Sequence, residues 1–411
     1  MQQLDPSLPH DRPGILFLLS SLIIGGSERK VVRLVNVLKA RGWDVRLAFL
    51  DAPDRTPAPL LAELHPSIPR LCLGRRGRYS PQAAAMLGRY LRDNAVGTVL
   101  AVNLHPLAYL VPQARMLRRL GIRSIALLNG TEPRSRRDAA FMLLYRSLLR
   151  RVDQLVFGCR YQLDVWTRAY GLRRDRATYI YNGVDLVRFD PRSVVADADV
   201  RGLAEREHAI VIGSVGQLRR EKNQRELLLA VAALLRRGHR IKLLLVGQGP
   251  EQGALRALAR QLGIDDRIAW LGQVEDVRSL VAAMDVFVLS SASETFSNAA
   301  LEAMALSRAV VLSRVGGAAE MISDGETGVL YPAGNSDLLA EALERLIAKP
   351  ELRRRLGANA RAAVEQRFGL QCMVREYEQL LGGVTPSARA EPRPALASYH
   401  PGAHGRRGTA P

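Results

Sequence analysis

Two glutamates, Glu294 and Glu302, stand eight residues apart in the stretch 290–305, SSASETFSNAALEAMA. A polar turn of small residues lies between them. Carboxylate oxygens accept hydrogen bonds from hydroxyls, and the unpaired N–H groups at a helix start receive anions. The pattern therefore suits a ligand with phosphates in its middle and hydroxyls at both ends, which is the layout of a nucleotide-sugar. The elements that must hold these groups are legible. Val286-Phe287-Val288-Leu289 reads as a buried strand, and 298–306 reads as a helix with Ser297 as N-cap. Glu294 then lies in the loop and Glu302 about one turn into the helix. Backbone N–H groups of Thr295, Phe296, Ser297 and Asn298 are left to face an anion. Ala299, Ala300 and Ala303 keep the helix end narrow. A glutamate pair on a helix is most often a solvated face; the apolar strand and the small residues argue for the cleft.

On these residues the chain resembles the retaining glycosyltransferases of family 4, whose signature is E-x7-E. The resemblance runs from about Gly14 to Leu381. It takes in Gly25-Gly26-Ser27-Glu28, Tyr181-Asn182-Gly183-Val184-Asp185, Lys222-Asn223, Gly247-Gln248-Gly249 and Gly316-Gly317-Ala318-Ala319-Glu320. It implies the α/β GT-B fold: two Rossmann-like, doubly wound domains facing a central cleft, with a C-terminal helix crossing back to the first domain. The periodicity alone supports two open α/β domains, because strand and helix signals alternate from residue 15 to 157 and restart at 209. The expected division is a leader over 1–13, an N-terminal acceptor domain over 14–190 and a linker over 191–206. A nucleotide-sugar domain over 207–365, a crossover helix over 366–381 and a disordered tail over 382–411 complete it.

The resemblance also assigns roles. Glu302 takes the ribose hydroxyls, Glu294 the transferred sugar, and Thr295, Phe296, Ser297 and Asn298 the sugar and phosphates. Gly25 and Gly26 form a loop near the donor phosphates, although a tight strand-to-helix turn would need the same glycines. Lys222 neutralises the leaving diphosphate; read blandly, it is a surface lysine at a helix start. Two positions depart from the family. Gln217 replaces an arginine, which leaves Arg219 or Arg220 to supply charge. Asn129 replaces a histidine that faces the reaction centre; it can hydrogen-bond a hydroxyl but cannot act as a base. His105 could line the cleft in its place. Gly247 belongs to a turn near the base pocket. Asp197-Ala198-Asp199 matches a metal motif by chance, since it follows no apolar strand. No metal and no cofactor is expected.

The whole implies transfer of a sugar from a UDP- or GDP-sugar to a glycan or lipid-linked saccharide, in bacterial surface-polysaccharide assembly. Two alternatives stay open: a non-catalytic nucleotide-sugar-binding relative or partner subunit of another transferase, and another GT-B activity such as a nucleotide-sugar epimerase. The 411 residues carry a net charge of +19 and three scattered cysteines. That cysteine count gives neither a disulfide framework nor a Cys-x-x-Cys site, and it fits a cytoplasmic protein. Arginine clusters at 75–78, 115–123, 134–137 and 146–151 load the first half. They suggest an anionic membrane surface as partner, with a peripheral position at the inner face, or they reflect composition alone. Nucleic acid is not expected, since no recognition motif accompanies the arginines. The apolar stretch 14–24 lacks a basic flank and a cleavage site, and it reads as a first strand rather than a signal peptide.

Overall fold

The computed structural model describes residues 13–130 and 145–383. All but the last residue of the expected leader, the cluster at 134–137 and all but the first two residues of the expected tail lie outside them. The first sheet has seven strands in the order β3-β2-β1-β4-β5-β6-β7, with β1 Gly14–Leu19, β2 Val45–Phe49, β3 Arg70–Cys72, β4 Val96–Val102, β5 Arg123–Leu128, β6 Gln154–Phe157 and β7 Ala177–Tyr179. The second has six in the order β10-β9-β8-β11-β12-β13, with β8 Ile210–Val215, β9 Ile241–Val246, β10 Ile268–Gly272, β11 Val286–Leu289, β12 Ala309–Ser313 and β13 Val329–Tyr331. Every pairing is parallel. The cause is visible in β1, GILFLL, which is buried at all six positions. Such an unbroken apolar run needs helices on both faces, which parallel crossovers supply.

Chain order reverses between β1 and β4 in one sheet and between β8 and β11 in the other. At such points the loops after neighbouring strands diverge and leave a crevice at the strand C-termini. The loops after β1, β4 and β5 carry Gly25, Asn103 and Asn129. The loops after β8 and β11 carry Lys222 and Glu294. Topology alone thus gathers residues distant in sequence.

The C-terminal helix Leu370–Leu381 crosses back as expected. Met373, Val374, Tyr377 and Leu380 join Ile15, Phe17, Leu34 and Val35 in one apolar cluster of the first domain. Arg41 pairs with Glu378 at 2.6 Å, and Arg123 donates to the Leu380 carbonyl at 2.6 Å. A two-residue parallel bridge, Val184 with Gly369, guides the chain over. The segment 191–206, expected as linker, holds the helix Ala198–Glu207. Its buried face is one narrow stripe around Ala204, too little apolar periodicity to read from sequence. The Asp197 carboxylate accepts from the Val200 N–H and caps that helix, which gives the apparent metal motif a local structural use.

Tyr377, on the inward face of the crossing helix, is fully buried. Tyr377→Ala is expected to lower stability by about 3–5 kcal/mol in urea unfolding; a loss under about 1 kcal/mol would mean that the helix does not dock as described.

Candidate active site

Lys222 and Glu294 form an ion pair where the β8 and β11 loops meet, both about three-quarters buried. Lys222 ends a single 3-10 turn, Arg220–Lys222, which leads through Asn223 at positive φ into the helix Gln224–Arg236. Glu294 also accepts from the Thr295 N–H at 3.3 Å. Gln217 lies exposed at the start of the same β8 loop, its carbonyl accepting from the Gln224 amide. Gly247 has a φ of +131°, and a Cβ there would run into the Gly216 carbonyl. Its glycine is required by the contact of two loops, in keeping with a tight turn.

The loop carrying Glu294 is held from three sides. Phe296 is buried, stacks on Tyr181 at 4.7 Å between centroids, and meets Phe368 edge-on at 5.3 Å. Its carbonyl accepts from the Asn182 amide at 2.7 Å. Behind it lies the Gly316–Gly317 turn, whose Gly317 N–H donates to the Thr295 carbonyl at 2.8 Å. Gly316, at a φ of +53°, leaves no room for a Cβ against the Glu294 carbonyl. Glu320 follows. Its two carboxylate oxygens accept from the Arg160 and Tyr161 N–H groups at 2.9 and 2.7 Å, and the Tyr181 hydroxyl donates to it at 2.7 Å. A carboxylate of the second domain thereby caps the helix Arg160–Tyr170 of the first. Burial pushes the Glu320 carboxyl upward, and these donors pull it back.

The helix Asn298–Ala305, capped by the Ser297 hydroxyl on the Ala300 N–H, meets the first helix, Gly26–Ala40, through two side chains. Asn298 donates to the Gly26 carbonyl at 3.2 Å, and Glu302 sits 3.7 Å from Arg33. Burial raises the Glu302 carboxyl, opposed by Arg33, Arg29 and Arg188. Gly25 is the N-cap of the first helix in an extended conformation, and Gly26 is exposed. Glu28, one turn in, is raised by burial and drawn down by its own backbone hydrogen bond and by Arg219 across the cleft.

Asn129, after β5, faces the motif loop: the Thr295 hydroxyl donates to its carbonyl at 3.3 Å. Its N–H donates to the Asn103 side chain at 3.0 Å, and its Oδ1 accepts from Lys30 at 3.2 Å. Asn103 holds a φ of +68° with ψ at 178°, a conformation that costs a non-glycine residue roughly 1–3 kcal/mol. Lys30 is buried, with Tyr377's ring 5.7 Å away and no carboxylate paired with it among the described residues. Burial pushes its ammonium down to about 8. Lys30 is not singled out by the sequence, because it sits on a helix whose stripe reads as plain core; Glu320 stands in a segment that carries the resemblance, but its role is not legible there, because it acts on a segment 160 residues away. His105 sits among Ser20, Arg75 and the Arg78 carbonyl, with Arg75 paired to Asp51. Among the described residues no group of three or more His, Cys, Asp or Glu could hold a metal ion.

Two family models match in tandem: Glycosyltransferase Family 4 over residues 24–188 and Glycosyl transferases group 1 over 196–363. The chain belongs to the family 4 glycosyltransferases. N-acetyl-alpha-D-glucosaminyl L-malate synthase of Bacillus anthracis is 32% identical over 49% of this chain and 52% of its own length. The lipopolysaccharide core biosynthesis glycosyltransferase LpsE of Rhizobium meliloti is 34% identical over 42% of this chain and 50% of its own. The matches thus span about half the length of these curated relatives. HepE of Anabaena, solved with UDP and glucose, superimposes with a TM-score of 0.77 at 21% identity, over 91% of this chain and all of that one. This likeness carries the fold, GT-B, to the family 4 chain described here. No helix among the described residues is long and apolar enough to cross a membrane.

Because Lys30 is charged more easily unfolded than folded, its cost is full below about pH 8 and fades as pH rises toward the ordinary lysine value. The stability of Lys30→Met relative to wild type is therefore expected to fall by about 2 kcal/mol between pH 7 and pH 10 in urea titrations. A difference that stays constant with pH would show that Lys30 is not a buried cation.

Proposed function

We propose that this protein is a retaining, metal-independent glycosyltransferase that moves a sugar from a nucleotide-sugar to a glycan or lipid-linked saccharide. The observation that carries the reading is the Lys222–Glu294 ion pair at the mouth of the motif helix, with Glu302 on the same helix facing the first domain. A donor entering there meets Lys222 at its diphosphate, Glu294 and Asn129 at its sugar, and Glu302 at its ribose. The N–H groups of Thr295, Phe296, Ser297 and Asn298, with Gly25 and Gly26 opposite and Gln217 and Gly247 near the nucleotide, complete the donor site. HepE, with which the fold is shared, holds UDP and glucose, and this supports a UDP-sugar as donor here. LpsE, named for lipopolysaccharide core biosynthesis, supports a setting in bacterial surface-polysaccharide assembly. The exposed arginines of the first domain, Arg76, Arg78, Arg118 and Arg119, suit an anionic membrane face.

In the proposed reaction the bond from the anomeric carbon to the diphosphate breaks, and a bond to the acceptor oxygen forms on the same face. The acceptor's proton passes to the departing phosphate oxygen. Lys222 and the helix start stabilise the charge that develops on the diphosphate.

A screen of UDP- and GDP-sugars with membrane-extract acceptors tests this, read as transfer and as the anomeric configuration of the product by NMR. Lys222→Ala is expected to lower kcat by about 100-fold or more, as loss of an electrostatic stabiliser does. Glu302→Ala should weaken nucleotide binding by about tenfold. Turnover by Glu302→Ala equal to wild type would remove the ribose assignment, and an inverted product would remove the front-face mechanism. Activity should survive EDTA; strict dependence on added Mn2+ or Mg2+ would overturn metal independence.

A further inference from the structure

Asn129 has four polar groups, and three are committed. Its N–H is held by Asn103, its carbonyl by Thr295 and its Oδ1 by Lys30. The fourth, Nδ2, is buried and has no partner among the described residues. A buried donor without an acceptor costs about 1–3 kcal/mol, and Asn103 beside it is strained as well. Both lie at the C-terminal edge of the sheet, where β4 and β5 end, next to the loop that carries Glu294 and Thr295.

The orientation of the amide follows from chemistry. An ammonium has three donors and no acceptor, so it can meet only the oxygen of the amide. With Oδ1 turned to Lys30, Nδ2 must point the other way. Without Lys30 the amide could turn over, its NH2 taking the place of the oxygen and its oxygen the place of Nδ2, and present an acceptor where a donor is wanted. An isolated buried lysine is otherwise an expense to the fold, as no carboxylate offsets it.

We propose that Lys30 is a positioning residue: it locks the Asn129 amide so that Nδ2 stands ready to donate to an oxygen of the transferred sugar. This rests on the transferase reading above. The class of donor follows: a sugar with a hydroxyl or ring oxygen facing Asn129 satisfies Nδ2, and one lacking it leaves a buried polar group unpaired and is turned over less well.

The test is a double-mutant cycle on the full chain, using the donor that wild type turns over best in the screen. Lys30→Met and Asn129→Ala are each expected to lower donor kcat/KM by roughly tenfold. Inhibition by the bare nucleotide, UDP or GDP as the donor dictates, should stay within about twofold, since it has no sugar to contact. The double variant should be no worse than Asn129→Ala, because Lys30 acts only through that amide. Asn129→Asp, which keeps the acceptor for Lys30 and deletes the donor, should match Asn129→Ala and guards against a misfolded alanine variant. Additive losses in the double variant, a parallel loss of nucleotide affinity in Lys30→Met, or an Asn129→Asp as active as wild type would each overturn the proposal while leaving the transferase reading intact. Failure of wild type to turn over any donor would overturn that reading, and this inference with it.

Discussion

The placement of Phe296 is the constraint on which the site depends. Its ring is enclosed by Tyr181 of the first domain and Phe368 of the chain leading into the crossing helix. Its carbonyl is spoken for by Asn182. A loop pinned at that residue can offer its neighbours to the cleft only in one way, with Glu294 toward Lys222 and the helix start toward Gly26. Burial of one aromatic ring thus fixes two carboxylates that could not fix themselves, since short polar loops lose more entropy on ordering than their own contacts return. The Gly316–Gly317 turn makes the arrangement tight, because any side chain at Gly316 would push the Glu294 carbonyl aside.

Much of this was legible in the residues, for identifiable reasons. The parallel sheets announce themselves through unbroken apolar strands such as β1 and β11, and the motif helix through Ser297 and its alanines. The pairing of Lys222 with Glu294 is half legible: each follows a strand, but only the sheet order brings the strands together. What stayed hidden has physical causes too. β3, Arg70–Cys72, is short and largely exposed at the sheet edge, so it has no apolar pattern to read. The helix Ala198–Glu207 buries too little to stand out from its polar surroundings. Lys30 hides among valines and leucines, since a lysine on an amphipathic helix is ordinarily solvated. Glu320 looks like part of a turn motif until the first domain's helix is seen resting on it.

The basic character of the first half also divides once the fold is known. Arg41 and Arg123 hold the crossing helix, and Arg75 answers Asp51. These charges are spent inside the protein, and composition counts them together with the exposed ones. Charge on a sequence measures what is available; only the surface measures what a partner can feel.

Glu320 has a consequence for motion. It is rooted in the second domain, yet both of its oxygens cap a helix of the first, beside the Tyr181–Phe296 stack. Sliding the lobes apart there would strand two backbone donors and a carboxylate together. A relative movement of the lobes that keeps these bonds is a rotation about this corner, not a separation at it.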